Sequence, residues 1–393
     1  MADYRILLSE FKTGKVLAEI PASDLQYRSV LSAPGAARVQ VPLTAKPLEG
    51  LDWSLISPWR TLVHVQRGPL ILWAGPLVSW DVDMASEMMT MDLIGLWGYY
   101  RRCIINRESP RSDIGYVVNQ VGQHVIAREL IQLYGDYSAD LGGNYWRSNG
   151  PDSLTFDMNY PAGKLRDRTY LWYEWKNLGE AIEQLAAVID GFDFRIDHRR
   201  PGTGKIVNDF VFLPQGGTPT SFILEHGVNC DVTRVTSDGA QMCTETGVNG
   251  TGEGWGQLKT WWYNGGLEAE AGRRIPRLAA IETHNSVSEY NTAAAQAWRL
   301  AAVGQTPMTV PEVRLHPGGD VSAGNLRVGH IVRVRARLAA WPGVEGDYIV
   351  QEIDTRVTGS GEETTLSLVP VSIYKRVDGL EAGDGDPGKS RKE

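Results

Sequence analysis

The strongest constraint on this chain is how often its apolar runs are interrupted. From Tyr4 to Ile105, short segments rich in Val, Ile, Leu, Thr and Trp are cut by Gly and Pro before they reach helical length. Runs of this kind bury one face each and turn back, which predicts consecutive antiparallel strands and an all-β first segment. The same texture returns near the other end. Thr61–Arg67 (TLVHVQR) is followed by Trp73, Gly75-Pro76, Leu77–Val82 and Met88–Leu93; His330–Arg337 (HIVRVRAR) is followed by Trp341-Pro342, Gly346, Tyr348–Ile353 and Thr364–Val369. The echo predicts two related β-units at the two ends of the chain.

Between them the periodicity changes. Ile114, Val117, Val118, Val121, Val125 and Ile126 recur at helical spacing after Ser112, predicting an amphipathic helix to about Tyr134. Leu178, Ala181, Ile182, Leu185, Ala186 and Ile189 predict a second helix from near Asn177 to the stop at Gly191. Phe192–Asp197 and Lys205–Leu213 then read as a hairpin around Arg200–Gly204, and strands are expected over Phe222–Glu225, Asn229–Ser237 and Gln241–Gly247. An Ala-rich helix is expected over Tyr290–Ala302, with strands after it. The tail after Leu380 has no large apolar anchor and is expected to be disordered.

The resulting class is a β-rich α+β chain. We expect a barrel-like β-domain at 1–108, a mixed helix and hairpin domain at 109–220, a second barrel-like β-domain at 221–375 with a helical insertion near 286–304, and a tail at 376–393. At 393 residues, 42% hydrophobic and 22% charged, the chain can bury several cores. A formal net charge of -8 argues against a surface that grips nucleic acid through its phosphates. The N-terminal residues show no secretory pattern, and no apolar stretch approaches the roughly 18 residues of a membrane span, so membrane insertion is not expected and synthesis in the cytoplasm is. Three cysteines are too few for a disulfide framework.

Four segments resemble, in their order, the central tail-hub proteins of long-tailed phages, especially minor tail proteins of phages infecting actinobacteria. They are Leu93–Arg102 (LIGLWGYYRR), Leu185–Ile196 (LAAVIDGFDFRI), Asp231–Thr236 (DVTRVT), and Val328–Val334 (VGHIVRV) with Tyr348–Ile353 (YIVQEI). The resemblance implies a homotrimer in which two barrel-like domains per subunit form a pseudo-sixfold ring around the DNA exit channel of a virion tail tip. It also implies contacts with the distal tail protein ring, the tape measure protein and other tail-tip proteins, and passage of DNA without specific binding. No enzymatic extension of the kind some members carry is present to support catalysis.

Rival chemistry finds little support in the residues, and no catalytic, cofactor-binding or metal-binding set is assigned. His226, Cys230 and Cys243 lack the paired spacing that a structural zinc site uses, so small buried thiols are the expected reading. Glycan cleavage would need two carboxylates about 5 to 9 Å apart across a sugar cleft. Asp193, Asp197, Glu174 and Glu180 are the candidates, but alternation puts Asp193 and Asp197 on one strand face whose plain expectation is solvation. Trp172-Tyr173-Glu174-Trp175 and Trp261-Trp262-Tyr263 could stack on cell-wall sugars, the alternative function, although core and interface packing is the commoner use of Trp. Arg333, Arg335 and Arg337 share one strand face and are expected to meet protein neighbours while the channel lining stays acidic or neutral.

Overall fold

A computed structural model of the chain describes residues 4–374 except 49, 140–145, 149, 152–153, 158–159, 189, 203, 264–274, 285–286, 288–289, 305–307, 319–320 and 323. The expected tail at 376–393 lies outside the described residues.

The first segment is all-β, as its interruptions dictate: β1 (Tyr4–Glu10), β2 (Val16–Ile20), β3 (Asp24–Val30), β4 (Ala36–Pro42), β5 (Thr61–Arg67), β6 (Leu70–Asp83) and β7 (Met88–Ile94). The long β6 pairs with β5 through Leu70–Pro76 and with β7 through Leu77–Asp83, and its Ile71 also bridges to His198. Gly75 lies near the change of partner because any Cβ there would sit 1.9 Å from the Ile94 carbonyl oxygen. Ile6, Leu8, Leu25, Tyr27, Val39, Val63, Val65 and Met91 form the core of this module.

A mixed region follows, with α1 (Trp97–Tyr100), β8 (Gly115–Gly122), α2 (Gln123–Leu130), short strands β9 (Tyr137–Ala139), β10 (Trp146–Ser148) and β11 (Leu154–Phe156), β12 (Leu165–Leu171), α3 (Leu178–Ala186), β13 (Phe192–Arg199) and β14 (Val207–Pro214). Asn177 caps α3 by accepting a hydrogen bond from the Glu180 N–H at 3.0 Å, and Leu178, Ala181, Ile182 and Leu185 are buried as the spacing predicts. The helix expected after Ser112 starts later. Residues 115–122 are strand β8, paired with β12, and Ser112 instead closes a tight turn with Ser109. Asn119 and Gln120 together oppose Asp167, a bulge held by the Gln120 N–H on Asp167 Oδ1 at 2.6 Å. One extra residue shifts the two-residue alternation so that Val117, Val118 and Val121 imitate a helical stripe.

The chain continues through β15 (Thr218–Glu225), β16 (Cys230–Asp238), β17 (Glu245–Asn249), β18 (Lys259–Tyr263), β19 (Ala279–Thr283), α4 (Tyr290–Val303), β20 (Met308–Leu315), β21 (His330–Leu338), β22 (Trp341–Thr358) and β23 (Gly361–Pro370). The strand expected from Gln241 thus begins at Glu245. Two compact units result, Met1–Thr233 with Glu312–Leu368, and Arg234–Pro311 with Val369–Glu393. In the smaller unit β17 lies between β18 and β19, and Val248 packs against Ala293 and Ala297 of α4, whose Ala297 carbonyl accepts from Thr246 Oγ1 at 2.9 Å.

The echo between the chain ends is a shared strand order. Around the long strand β6 the first module runs β3-β4-β7-β6-β5-β1-β2, and around the long strand β22 the second runs β16-β20-β23-β22-β21-β15. They differ in two ways: β1 meets β5 antiparallel whereas β15 meets β21 parallel, and the first module carries one further strand, β2, beyond β1. Within the chain they join edge to edge: β3 pairs antiparallel with the second half of β22, from Val30 opposite Glu352 to Leu25 opposite Val357. Val357 enters the first module's core, so the seam is packed as well as hydrogen-bonded.

Candidate functional site

The residues that could carry chemistry are dispersed. Among the described residues no group of three or more His, Cys, Asp or Glu side chains is arranged to hold a metal ion. His226 accepts a hydrogen bond from the Val232 N–H on its Nδ1 at 3.0 Å, and Cys230 is buried, its thiol pushed up to about 12 chiefly by that burial. Cys243, in the smaller unit, is also buried and its thiol likewise raised. Thiols held neutral are poor metal ligands and poor nucleophiles. Cys230→Ser is therefore expected to lower stability by about 1 kcal/mol, and EDTA to leave the melting temperature unchanged; a loss of many degrees on chelation would overturn this.

Asp193 and Asp197 do share a face, but it is half-buried and its carboxylates are committed, so the solvated face expected for them is corrected. Asp193 accepts from Ser32 Oγ and the Gly216 N–H, both at 3.3 Å, and burial raises its carboxyl above the usual range. Asp197 accepts from Arg195 Nε at 2.9 and 3.0 Å, and the same Arg195 donates to the Val328 carbonyl at 3.0 Å. A cavity of about 80 Å³ lies beside Asp197, lined by Tyr27, Trp73, Trp97, Arg195, Asp197 and His198 among others; Asp193 is not in its lining. Small-molecule sites typically enclose about 300 to 1,000 Å³, so this space suits a few waters and no saccharide. Glu180 has its N–H in the α3 cap, and Glu174 is exposed in the turn Trp172–Glu174; neither faces Asp193 or Asp197 as a hydrogen-bond partner.

The aromatic segments divide between core and surface. Trp97 is buried at the centre of the mixed core, whereas Trp172, Tyr173 and Trp175 are exposed, and Trp175 adopts a left-handed φ of 49°. In the smaller unit Trp262 packs toward α4 while Trp261 and Tyr263 lie on the other, exposed side of the sheet.

The arginine row is on one exposed face, as alternation requires. All three guanidinium groups converge on one carboxylate, Glu345, at 3.2 Å from Arg333, 3.2 Å from Arg335 and 2.7 Å from Arg337. These arginines and their hydrogen bonds hold Glu345 below the usual carboxylate range. Asp347 stands opposite Arg333 on β22, and Glu225 opposite Arg335 on β15, so acidic neighbours balance the row. Sequence spacing showed the arginines; Glu345 was missed because it reaches them only through the β21–β22 register.

The remaining feature is a pair of open strand edges, two among several that also include β2, β11 and β15. Over Leu77–Asp83, β6 has β7 as its sole strand partner among the described residues, and Val78 and Trp80 stand 36% and 45% exposed there. At the far end of the strand order, β16 likewise has a neighbour on one side.

No protein-family model and no curated protein matches this chain. Solved structures do. A 43 kDa tail protein of prophage MuSo2 from Shewanella oneidensis superposes with a TM-score of 0.60 at 15% identity, covering 94% of this chain and 99% of that one. The fold is that of phage tail proteins. A tail protein from Neisseria meningitidis MC58 gives a TM-score of 0.59 at 13% identity, over 95% of this chain and 98% of that chain. Prophage tail protein gp18 from Listeria monocytogenes EGD-e gives 0.50 at 11%, over 92% and 94%. The match runs nearly end to end in each case, so the tail-protein fold includes the paired β-modules and not one of them alone.

Proposed function

We propose that this chain is a structural subunit of a phage tail tip. Three copies form a hub ring that joins the sixfold tail tube to a threefold tip and surrounds the DNA exit channel. The observation that carries this reading is the pair of β-modules of like strand order joined edge to edge, because three such chains present six similar units to a sixfold neighbour. The ring-forming domains are residues 1–108 and 221–375, with 109–220 as the mixed domain between them in sequence. The partners are further copies of the chain, the distal tail protein ring, the tape measure protein and other tail-tip proteins. The order of the four sequence segments supports a parent phage of actinobacteria; the chain is made in the host cytoplasm and ends in the virion.

The reading has no use for catalysis. Among the described residues the dispersed carboxylates and the neutral thiols supply no reacting pair, and the balanced arginine face suits contact with protein more than with duplex DNA. Net charge of -8 per copy adds up threefold in a trimer and lets DNA pass without adhesion.

Imaging of assembled tails is expected to show three copies per tip, even if isolated subunits stay monomeric until a tail partner is present. One or six copies per tip would refute the hub. Tight, salt-sensitive binding of duplex DNA by the purified chain would refute the passive lining.

A further inference from the structure

The seam inside one chain shows how two chains can meet. In it β3, the strand beyond β4 in the first module, lies against the second half of β22, the long strand of the second module. Cross-strand charges and amides secure it: Arg356 meets Asp24 at 3.2 Å, Arg28 meets Glu352 at 3.8 Å, and Gln26 Nε2 donates to Asp354 at 3.1 Å. With β3 on one side and β23 on the other, this half of β22 is filled on both edges, and Ile353 and Val357 are buried.

Exchanging the modules gives the positional counterparts. The counterpart of β3 is β16, the strand beyond β20, and the counterpart of the second half of β22 is Leu77–Asp83 of β6. Among the described residues each of these two segments has a strand partner on one side only; other edge strands such as β2 and β15 do too, but these two hold the positions that form the internal seam in the opposite module. Arg234 on β16 offers one charge opposite to Asp81 and Asp83 of the β6 segment, of the kind that secures the internal seam, while the like-charged Asp231 and Asp238 lie toward the two ends of β16. The β6 segment also has no Lys, Arg or Pro, the residues that usually protect an open edge, and exposes Val78 and Trp80 instead.

From this we infer that a second copy of the chain adds its β16, antiparallel, to Leu77–Asp83 of the first. The inference rests on the hub reading and specifies the joint. One seam inside each chain then alternates with one seam between chains. The contact is head to tail, so every Leu77–Asp83 segment and every β16 finds a partner once the rotation closes into a ring.

Disulfide trapping tests the joint. Adjacent strands bring Cα atoms to about 4.5 to 5.5 Å, within the reach of a disulfide. A full-length Trp80→Cys chain is mixed with chains carrying Thr233→Cys, Val235→Cys or Ser237→Cys, in assembled tails or purified oligomer, then oxidised. We expect dimers that form only from mixtures of the two classes, in at least one register, and absent from the native chain. A second variant, Trp80→Lys, is expected to leave the melting temperature within a few degrees of native while shifting the oligomer to monomer. A threefold oligomer that gives no cross-link in any register, or that Trp80→Lys leaves as stable as the native one, overturns strand addition and leaves the hub standing. A chain that is monomeric alone and present once per tail overturns both.

Discussion

Acid is expected to destabilise the chain from pH 6.5 downward, with His64 as the largest identified contributor. His64 lies in β5 with both flanking valines buried and is itself fully buried; its Nε2 is 2.7 Å from Ser9 Oγ, and its Nδ1 has no hydrogen-bond partner among the described residues. Burial, with a smaller contribution from nearby His198, pushes its pKa from 6.5 down to about 3. Between those values the unfolded chain binds a proton at this residue and the folded chain does not. Stability is therefore intact above pH 6.5 and falls as pH falls, by roughly 1.4 kcal/mol per pH unit, about 2 kcal/mol by pH 5. His330, driven to about 4 by burial and by Arg195 and Arg327, adds to the slope in the same direction. Urea midpoints at pH 7.5, 6.0 and 5.0 measure it. The double variant Ser9→Ala, His64→Leu removes both polar partners together and is expected to be shallower by roughly that per-unit amount; an unchanged slope would show that His64 is not the group responsible.

Trp97→Ala is expected to be the most damaging single truncation in the mixed core. The ring is 3% exposed, stands edge-on to Phe194 with centroids 4.7 Å apart, and reaches Tyr100 and Phe210 at 5.4 and 5.8 Å. Its Nε1 donates to Glu183 Oε1 at 2.7 Å, on a carboxylate that Arg101 also grips at 2.7 and 2.6 Å. Removing the indole leaves a cavity that Phe194, Phe210 and the backbone of α1 cannot close, for a loss of about 3 to 5 kcal/mol. Trp97→Phe keeps most of the ring and loses the donor, for about 1 kcal/mol. Denaturant titration separates the two, and a Trp97→Ala chain within about 1 kcal/mol of native would mean that the surrounding core relaxes far more than large-to-small changes usually allow.

Local signals were read correctly wherever the partner is close in sequence. The α3 stripe with its Asn177 cap, the β13–β14 hairpin and the strand runs of β5, β6 and β7 follow from side-chain period and turn residues, which act over a few positions. The shared face of Arg333, Arg335 and Arg337 follows for the same reason, and so does that of Asp193 and Asp197. The misreading at residues 114–122 has the opposite cause: a bulge stabilised by Asp167, distant in sequence, changes the period that the valines display.

What alternation cannot show is which strand lies beside which, because every strand offers the same N–H and C=O groups along both edges. Leu25 opposite Val357, Ser9 against His64 and Glu345 beneath three arginines are contacts chosen by chain path, sheet order and register. The sequence by itself determined the β-rich class, the main helices and the echo of the two ends. Only the tertiary structure decided that β3 closes one edge of β22 while the matching edges of β6 and β16 stay open, since an edge is filled or empty according to residues hundreds of positions away.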